Sequence, residues 1–196
     1  FNDRLYRDRV SDLKHIKISS FRSKRHKCKT VFHRHTEKLT SLTAIGHNGD
    51  PVAMARDYES TLGRQAHLLD GALELIQELY GKCRLYIVTN GITAVQKNRF
   101  AATPLAPYFD QCFISEEMGC AKPEKKFFEL VSAMIPQFDP TQTLVIGDSL
   151  SSDIRGGINA GLDTCWYNPA GMSAPDGMTI THTVTSLEQI LPILLN

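Results

Sequence analysis

Four short apolar runs in the second half of the chain alternate with segments whose apolar residues follow a helical spacing. The runs are residues 84–89, 111–115, 143–147 and 164–167, which read RLYIVT, QCFIS, TLVIG and TCWY. Nearly continuous apolar character is typical of parallel strands that are covered on both faces. Helices are predicted between and after them, over 93–102, 123–134, 152–159 and 186–195. This alternation predicts an α/β fold with an open parallel sheet.

Helices alone are predicted between residues 45 and 81. Asp50 can cap a helix whose first residue is Pro51, and this helix is expected over 51–62. A second helix follows Asp70-Gly71 and ends at Gly81. Its apolar residues fall on one face, as expected of a helix that packs on a sheet: Ala72, Leu75, Ile76 and Leu79.

Residues 1–44 differ from the rest of the chain in charge. They hold 12 Lys or Arg against 4 Asp or Glu, whereas residues 45–196 hold 10 against 17. Their few apolar residues keep no regular period, so no helix or strand is predicted there. The basic stretch 21–29 fits either a contact with nucleic acid or a solvated arm. We favour the solvated arm, since no aromatic series or binding motif accompanies the charge, and we expect no nucleic-acid partner.

Composition narrows the class of protein. With 196 residues, 42% of them hydrophobic, the chain is long enough to bury a core without disulfides or metal ions. Its apolar runs are far shorter than the roughly 20 residues of a membrane helix, so no membrane partner is expected. Five cysteines without a C-x-x-C pair favour free thiols in the cytoplasm over a zinc site of that kind. The oligomeric state is left open.

Polar residues follow three of the predicted strands, at the end of the sheet where ligands of open parallel sheets bind. Thr89-Asn90-Gly91 offers a hydroxyl and two backbone amides, which suit a phosphate; a helix cap is the alternative. Asp148 and Asp153 are hard oxygen ligands of the kind that Mg²⁺ prefers; helix capping is again the alternative. Lys122, just before Pro123, could neutralise phosphate charge or be a solvated side chain.

Taken together, these residues resemble a known family. T-N-G at 89–91, A-K-P at 121–123 and G-D-x-x-x-x-D at 147–153 resemble motifs two, three and four of the haloacid dehalogenase (HAD) superfamily in order and spacing. The stretches IVTNG, ISEEMGCAKP and IGDSLSSDIRGGINAGLDTCWYN resemble its pyrimidine 5′-nucleotidase branch. The resemblance implies a Rossmann-like core over 71–196 with helices on both faces and a remnant of a helical cap domain over 45–70; residues 1–44 remain a basic, irregular segment outside it.

The same resemblance implies a chemistry. It is that of a Mg²⁺-dependent phosphatase that hydrolyses small phosphate esters through an aspartyl-phosphate, with nucleoside 5′-monophosphates the favoured substrates. Thr89 and the amides of Asn90 and Gly91 would hold the phosphoryl oxygens, and Lys122 would stabilise the charge. Asp148 would bind Mg²⁺ directly, with Asp153 in support. Such preorganised charge is the main means of accelerating phosphoryl transfer.

One motif of the family is missing. An apolar strand ending in D-x-D-x-T or D-x-D-x-S should supply the nucleophile and the general acid, but the sequence has no D-x-D. Asp3, Asp8 and Asp12 have neither the spacing nor a preceding apolar strand. We therefore expect a copy truncated at its N-terminus that has lost its central strand, and the alternative function is an inactive module that binds phosphate and metal.

Overall fold

The sheet is parallel throughout. The computed structural model describes residues 67–195, the strand at 14–18 and the single positions 60 and 63. Its strands lie in the order β3-β2-β1-β4-β5-β6. They are β1 (Lys14–Ile18), β2 (Cys83–Thr89), β3 (Gln111–Ile114), β4 (Thr143–Gly147), β5 (Asp163–Tyr167) and β6 (His182–Val184). The predicted open parallel α/β sheet is confirmed.

Helices cover both faces of this sheet. They are α1 (Ala72–Leu79), α2 (Thr93–Ala102), α3 (Ser115–Met118), α4 (Lys125–Met134), α5 (Arg155–Asn159) and α6 (Ile190–Leu195). Along β2, Leu85 and Ile87 enter one hydrophobic core, which α1 and α6 complete. Tyr86 and Val88 enter a second core on the opposite face, which α4 completes. Burial on both faces explains why β2 and β4 are apolar at successive positions.

The central strand corrects one prediction. β1 pairs in parallel with both β2 and β4, and Ile18 lies opposite Ile87 and Ile146. The expectation that residues 1–44 contain no regular element, and that the central strand is lost, is therefore wrong at residues 14–18. The sequence KHIKI is apolar only at alternate positions, whereas strands inside parallel sheets usually have nearly continuous apolar runs. The pattern that revealed the other strands was thus missing here.

The predicted domain division and some of the predicted helix bounds are not confirmed in the same way as the sheet. The helix expected over 51–62, and with it most of the cap remnant, lies outside the described residues, so the division into domains stays a prediction. Two short elements were not predicted: α3, which follows β3 directly, and β6. The expected helix over 152–159 begins as a wider π-helical turn, Leu150–Ile154, before α5. Within the described part of the chain, no helix is long and apolar enough to cross a membrane.

Candidate functional site

The residues singled out from the sequence meet at the carboxyl edge of the sheet. Thr89 is the last residue of β2 and Asp148 directly follows β4. These two strands flank β1, so both residues lie at the same edge on either side of the central strand. Thr89 is buried and Asp148 is half-buried. The fold thus brings together two of the three predicted strand ends.

Lys122, from the third predicted group of polar residues, contacts both of these strand ends. Its side chain is only 3% exposed, so the alternative of a solvated lysine is wrong. The Nζ group donates hydrogen bonds to the backbone oxygen of Val88 at 2.8 Å and to Oδ1 of Asp153 at 2.7 Å. Val88 precedes Thr89, and Asp153 belongs to the turn after Asp148. One buried ammonium group therefore joins the ends of β2 and β4.

Asp153 is held from two sides. Its Oδ1 accepts from Lys122, and its Oδ2 accepts the backbone N–H of Ser149 at 3.2 Å. The side chain is 2% exposed, so a charged carboxylate is buried with partners on both oxygens. Asp153 lies inside the turn Leu150–Ile154. The cap of this turn is Ser149, whose Oγ accepts the N–H of Ser152. Asp153 therefore links Lys122 to the turn that begins beside Asp148, and helix capping does not account for it.

Close packing of α5 fixes where this turn lies. A Cβ atom at Gly156 would lie 2.5 Å from the ring of Phe128, and one at Gly157 would lie 2.6 Å from the side chain of Thr164. Both distances are too short for a side chain, so the paired glycines let α5 pack directly against its neighbours. Because Asp153 comes two residues before α5, this close approach helps to bury its carboxylate beside Lys122.

Asp148 is anchored through its backbone. The indole N–H of Trp166 donates to the carbonyl oxygen of Asp148 at 3.2 Å, and Trp166 itself is buried in β5. Mg²⁺ is usually bound by one or two carboxylates together with water and substrate phosphate. The carboxylates of Asp148 and Asp153 are of the kind that fits such an ion, and both oxygens of Asp153 also have protein partners. Among the described residues, no group of three or more His, Cys, Asp or Glu comes together.

The turn after β2 is tied to the segment around Lys122. The Asn90 side chain donates to the backbone oxygen of Lys122 at 2.8 Å and accepts its N–H at 3.0 Å. The N–H of Gly91 donates to Oγ of Ser115 at 3.0 Å, and the N–H of Thr93 donates to Glu116 at 2.7 Å. The amide of Gly91, expected to hold phosphate, thus has a partner within the protein.

Ser115 and Glu116 were not found from the sequence. They stand in the run ISEEMG directly after β3, and only the parallel pairing of β2 with β3 brings α3 beside the turn. The hydrogen bond from Thr93 holds the pKa of the Glu116 carboxyl below its ordinary value, although the side chain is exposed. A pair of adjacent polar residues after a strand carries no signal of such a contact.

A cavity of about 200 Å³ adjoins Thr89 and Asn90. Burial lowers the pKa of Arg99 in its wall and raises that of the Cys112 thiol to about 11. Its described lining combines apolar and polar groups from β2, β3 and α2: Ile87, Thr89, Asn90, Gln96, Arg99, Phe100 and Cys112. This lining includes Thr89 and Asn90 but not Lys122, Asp148 or Asp153, so the cavity adjoins only the β2 side of the site.

The fold and these joined strand ends define a class: an open α/β protein with a polar site at the carboxyl edge of a parallel sheet. A sequence model of the family described as haloacid dehalogenase-like hydrolase matches residues 8–161, and the chain belongs to this family. The family suggested by the three motifs is confirmed. The matched region also includes β1.

Two of the relatives are pyrimidine 5′-nucleotidases, the branch that the sequence motifs resemble. The chain is 40% identical over 153 residues to the HAD-hydrolase YfnB of Bacillus subtilis. It is 41% identical over 151 residues to the pyrimidine 5′-nucleotidase PynA of Streptococcus pneumoniae, and 38% identical over 147 residues to the pyrimidine 5′-nucleotidase YjjG of Escherichia coli. These alignments cover 78%, 76% and 75% of the chain. The chain spans just under two thirds of each relative: 65%, 64% and 65%.

The fold is similar to solved structures of the family. A crystal structure of YfnB described as bound to magnesium has a TM-score of 0.73 and 39% identity, covering 82% of this chain and 70% of that chain. The 2-haloacid dehalogenase from Pseudomonas syringae pv. Tomato DC3000 has a TM-score of 0.70 at 18% identity, covering 93% of this chain and 98% of that chain. At that identity the second likeness shows the fold alone.

Proposed function

We propose that this chain carries the phosphate- and metal-binding part of a Mg²⁺-dependent phosphate monoester hydrolase. The observation that carries the proposal is the buried Lys122, which joins the ends of β2 and β4 through Val88 and Asp153. A buried ammonium group at a strand edge is suited to stabilising the charge of a phosphoryl group. The two pyrimidine 5′-nucleotidases among the relatives support nucleoside 5′-monophosphates as the favoured ligands within small phosphorylated metabolites.

Each residue has a proposed role. The Thr89 hydroxyl and the backbone amide of Asn90 hold phosphoryl oxygens, while the Gly91 amide is engaged by Ser115. Lys122 stabilises the negative charge, and Asp153 keeps it in place. The Asp148 carboxylate would bind Mg²⁺, whose positive charge neutralises the phosphoryl oxygens when it is bound.

The sequence shows no carboxylate at the position where the family's nucleophile is expected. Thr89 and Asp148 come two residues after Ile87 and Ile146, the register partners of Ile18. Two residues after Ile18 the sequence has Ser20, and between Ile18 and Glu37 it has no Asp or Glu. An aspartyl-phosphate needs a carboxylate at this edge. This observation favours a second candidate function, in which the chain binds phosphate and metal without hydrolysing the ester.

Binding and turnover measured on the same protein separate the two candidates. Calorimetry with inorganic phosphate should show binding that is strengthened by Mg²⁺, and the effect of Mg²⁺ should be lost in Asp148→Asn. Hydrolysis of p-nitrophenyl phosphate and of nucleoside 5′-monophosphates should be at background. Absence of phosphate binding would refute the proposal, and hydrolysis at ordinary enzymatic rates would refute the inference about the nucleophile.

A gain-of-function variant tests the position of the missing group. Ser20→Asp combined with Arg22→Asp creates the family's D-x-D spacing two residues beyond Ile18, and we expect it to produce hydrolysis above background. The matched control, Ser19→Asp combined with Phe21→Asp, introduces the same two carboxylates one residue earlier. Equal activity of both variants, or none in the first, would count against the register argument.

A further inference from the structure

Two backbone amides at the beginning of α2 are engaged by side chains of α3. The N–H of Gly91 donates to Ser115 and the N–H of Thr93, the first residue of α2, donates to Glu116. Amides at the beginning of a helix are common ligands for phosphate. In this protein a carboxylate of the chain itself already occupies the Thr93 amide.

The same two segments are joined at two further places. The Asn90 side chain forms a pair of hydrogen bonds with the backbone of Lys122. Farther along, Lys97 of α2 forms an ion pair with Glu117 of α3. Within the turn itself, Asn90, Gly91 and Thr93 are therefore hydrogen-bonded to the segment 115–122, whereas the Lys97 pair lies beyond the turn.

Two effects of Glu116 on a bound phosphate oppose each other. Its negative charge near the turn repels an anion, whereas its hydrogen bond to Thr93 holds the turn in one conformation. The charge is largely screened because the side chain is exposed to solvent. The hydrogen bond is short, at 2.7 Å, and its acceptor is charged, which makes it stronger than a neutral one. Positioning of the turn is thus the larger effect.

We propose that Ser115 and Glu116 are positioning residues that fix the turn from Thr89 to Thr93 so that the Thr89 hydroxyl and the Asn90 amide face a phosphoryl group. The proposal rests on the proposed function for its ligand. It assigns the Gly91 and Thr93 amides to internal hydrogen bonds and leaves the phosphoryl group to the other groups of the turn. Phosphate affinity should therefore depend more on the presence of an acceptor oxygen at position 116 than on its charge.

Four single variants test this assignment. Ser115→Ala and Glu116→Ala each remove one acceptor, whereas Glu116→Gln keeps an acceptor oxygen and removes the charge. Glu117→Gln is the matched control: it removes the same charge from the neighbouring residue, whose side chain pairs with Lys97 and makes no described contact with residues 89–93. The two readouts are amide hydrogen exchange at Gly91 and Thr93 by NMR, without ligand, and the Kd for inorganic phosphate by calorimetry.

We expect faster exchange at Gly91 in Ser115→Ala and at Thr93 in Glu116→Ala. The Kd for phosphate should rise about three- to tenfold in both, the size of one ordinary hydrogen bond. Glu116→Gln, which keeps a weaker neutral acceptor, should fall between the wild type and Glu116→Ala, and Glu117→Gln should stay within about twofold of the wild-type Kd.

Three results would overturn the proposal: tighter phosphate binding by Glu116→Ala, equal effects of Glu116→Gln and Glu116→Ala, or unchanged exchange in both alanine variants. Wild-type protein that binds no phosphate would instead refute the proposed function, and the exchange measurement, which needs no ligand, would still decide the two hydrogen bonds.

Discussion

Replacing Lys122 by methionine tests how strongly the buried ion pair holds the two strand ends together. Lys122 and Asp153 are 3% and 2% exposed, with 2.7 Å between Nζ and Oδ1. In Lys122→Met the Asp153 carboxylate stays buried and keeps only the N–H of Ser149 as a partner among the hydrogen bonds described above. Leaving one member of a buried pair uncompensated costs about 3–5 kcal/mol of the free energy of unfolding.

Urea denaturation, with linear extrapolation to water, measures this loss. For a protein of this size each kcal/mol corresponds to about 2–4 °C, so Tm should fall by about 6–20 °C. The double variant Lys122→Met with Asp153→Asn removes both charges and keeps an acceptor for Ser149. It should be less destabilised than the sum of the single variants by about 0.5–3 kcal/mol, the range of coupling between residues in contact.

An exposed pair provides the matched control. Lys125 and Glu129 on α4 form an ion pair at 3.3 Å, but their side chains are 65% and 59% exposed. Water screens this pair, so Lys125→Met should cost no more than about 0.5 kcal/mol. Similar losses for Lys122→Met and Lys125→Met, or additive effects in the double variant, would refute the argument that burial makes the first pair strong.

Three further predictions concern the surroundings of the site. Gly156→Ala places a Cβ atom 2.5 Å from Phe128 and should destabilise the fold by about 1–3 kcal/mol in urea denaturation. The loss should be smaller in a Phe128→Leu background, and equal losses in both backgrounds would count against the clash. Burial raises the pKa of the Cys112 thiol to about 11, so about one part in a thousand should be thiolate at pH 8. Alkylation of Cys112, followed by peptide mass mapping, should therefore accelerate about tenfold per pH unit from pH 8 to 10, and a flat profile would contradict this. Trp166 is the one tryptophan of the sequence, and its indole N–H is hydrogen-bonded to the backbone of Asp148. Mg²⁺ should therefore change the tryptophan fluorescence of the wild-type protein and not that of Asp148→Asn, and the same change in both would argue against Asp148 as the ligand.

The sequence was most informative where burial on both faces leaves a clear pattern. Strands β2 and β4 are apolar at successive positions because each lies between two hydrophobic cores, and both were predicted close to their observed bounds. The helix α2 was likewise predicted with its observed bounds. Strand β1 was not predicted because KHIKI alternates polar and apolar residues, a pattern that does not indicate a central parallel strand.

The contacts that build the site could not be predicted in the same way. Lys122 and Asp153 are 31 residues apart in the chain, and their pairing depends on how the segments after α3 and β4 fold together. From sequence alone each residue had an ordinary alternative, a solvated lysine or a helix cap. Ser115 and Glu116 lie in one of the stretches that resemble the family, but nothing in that stretch indicates their hydrogen bonds, which arise only from the neighbouring positions of β2 and β3.

Under the proposed function, binding and hydrolysis are separable because they would rest on different parts of the chain. The bonds of Lys122 to Val88 and Asp153, and of Trp166 to Asp148, all lie within residues 67–195. None of these contacts uses a group from the segment that follows Ile18, so a change of residue type there can remove a nucleophile without removing the hydrogen bonds that join the strand ends. A family member lacking that carboxylate would then keep its affinity for phosphate while its hydrolysis falls to background.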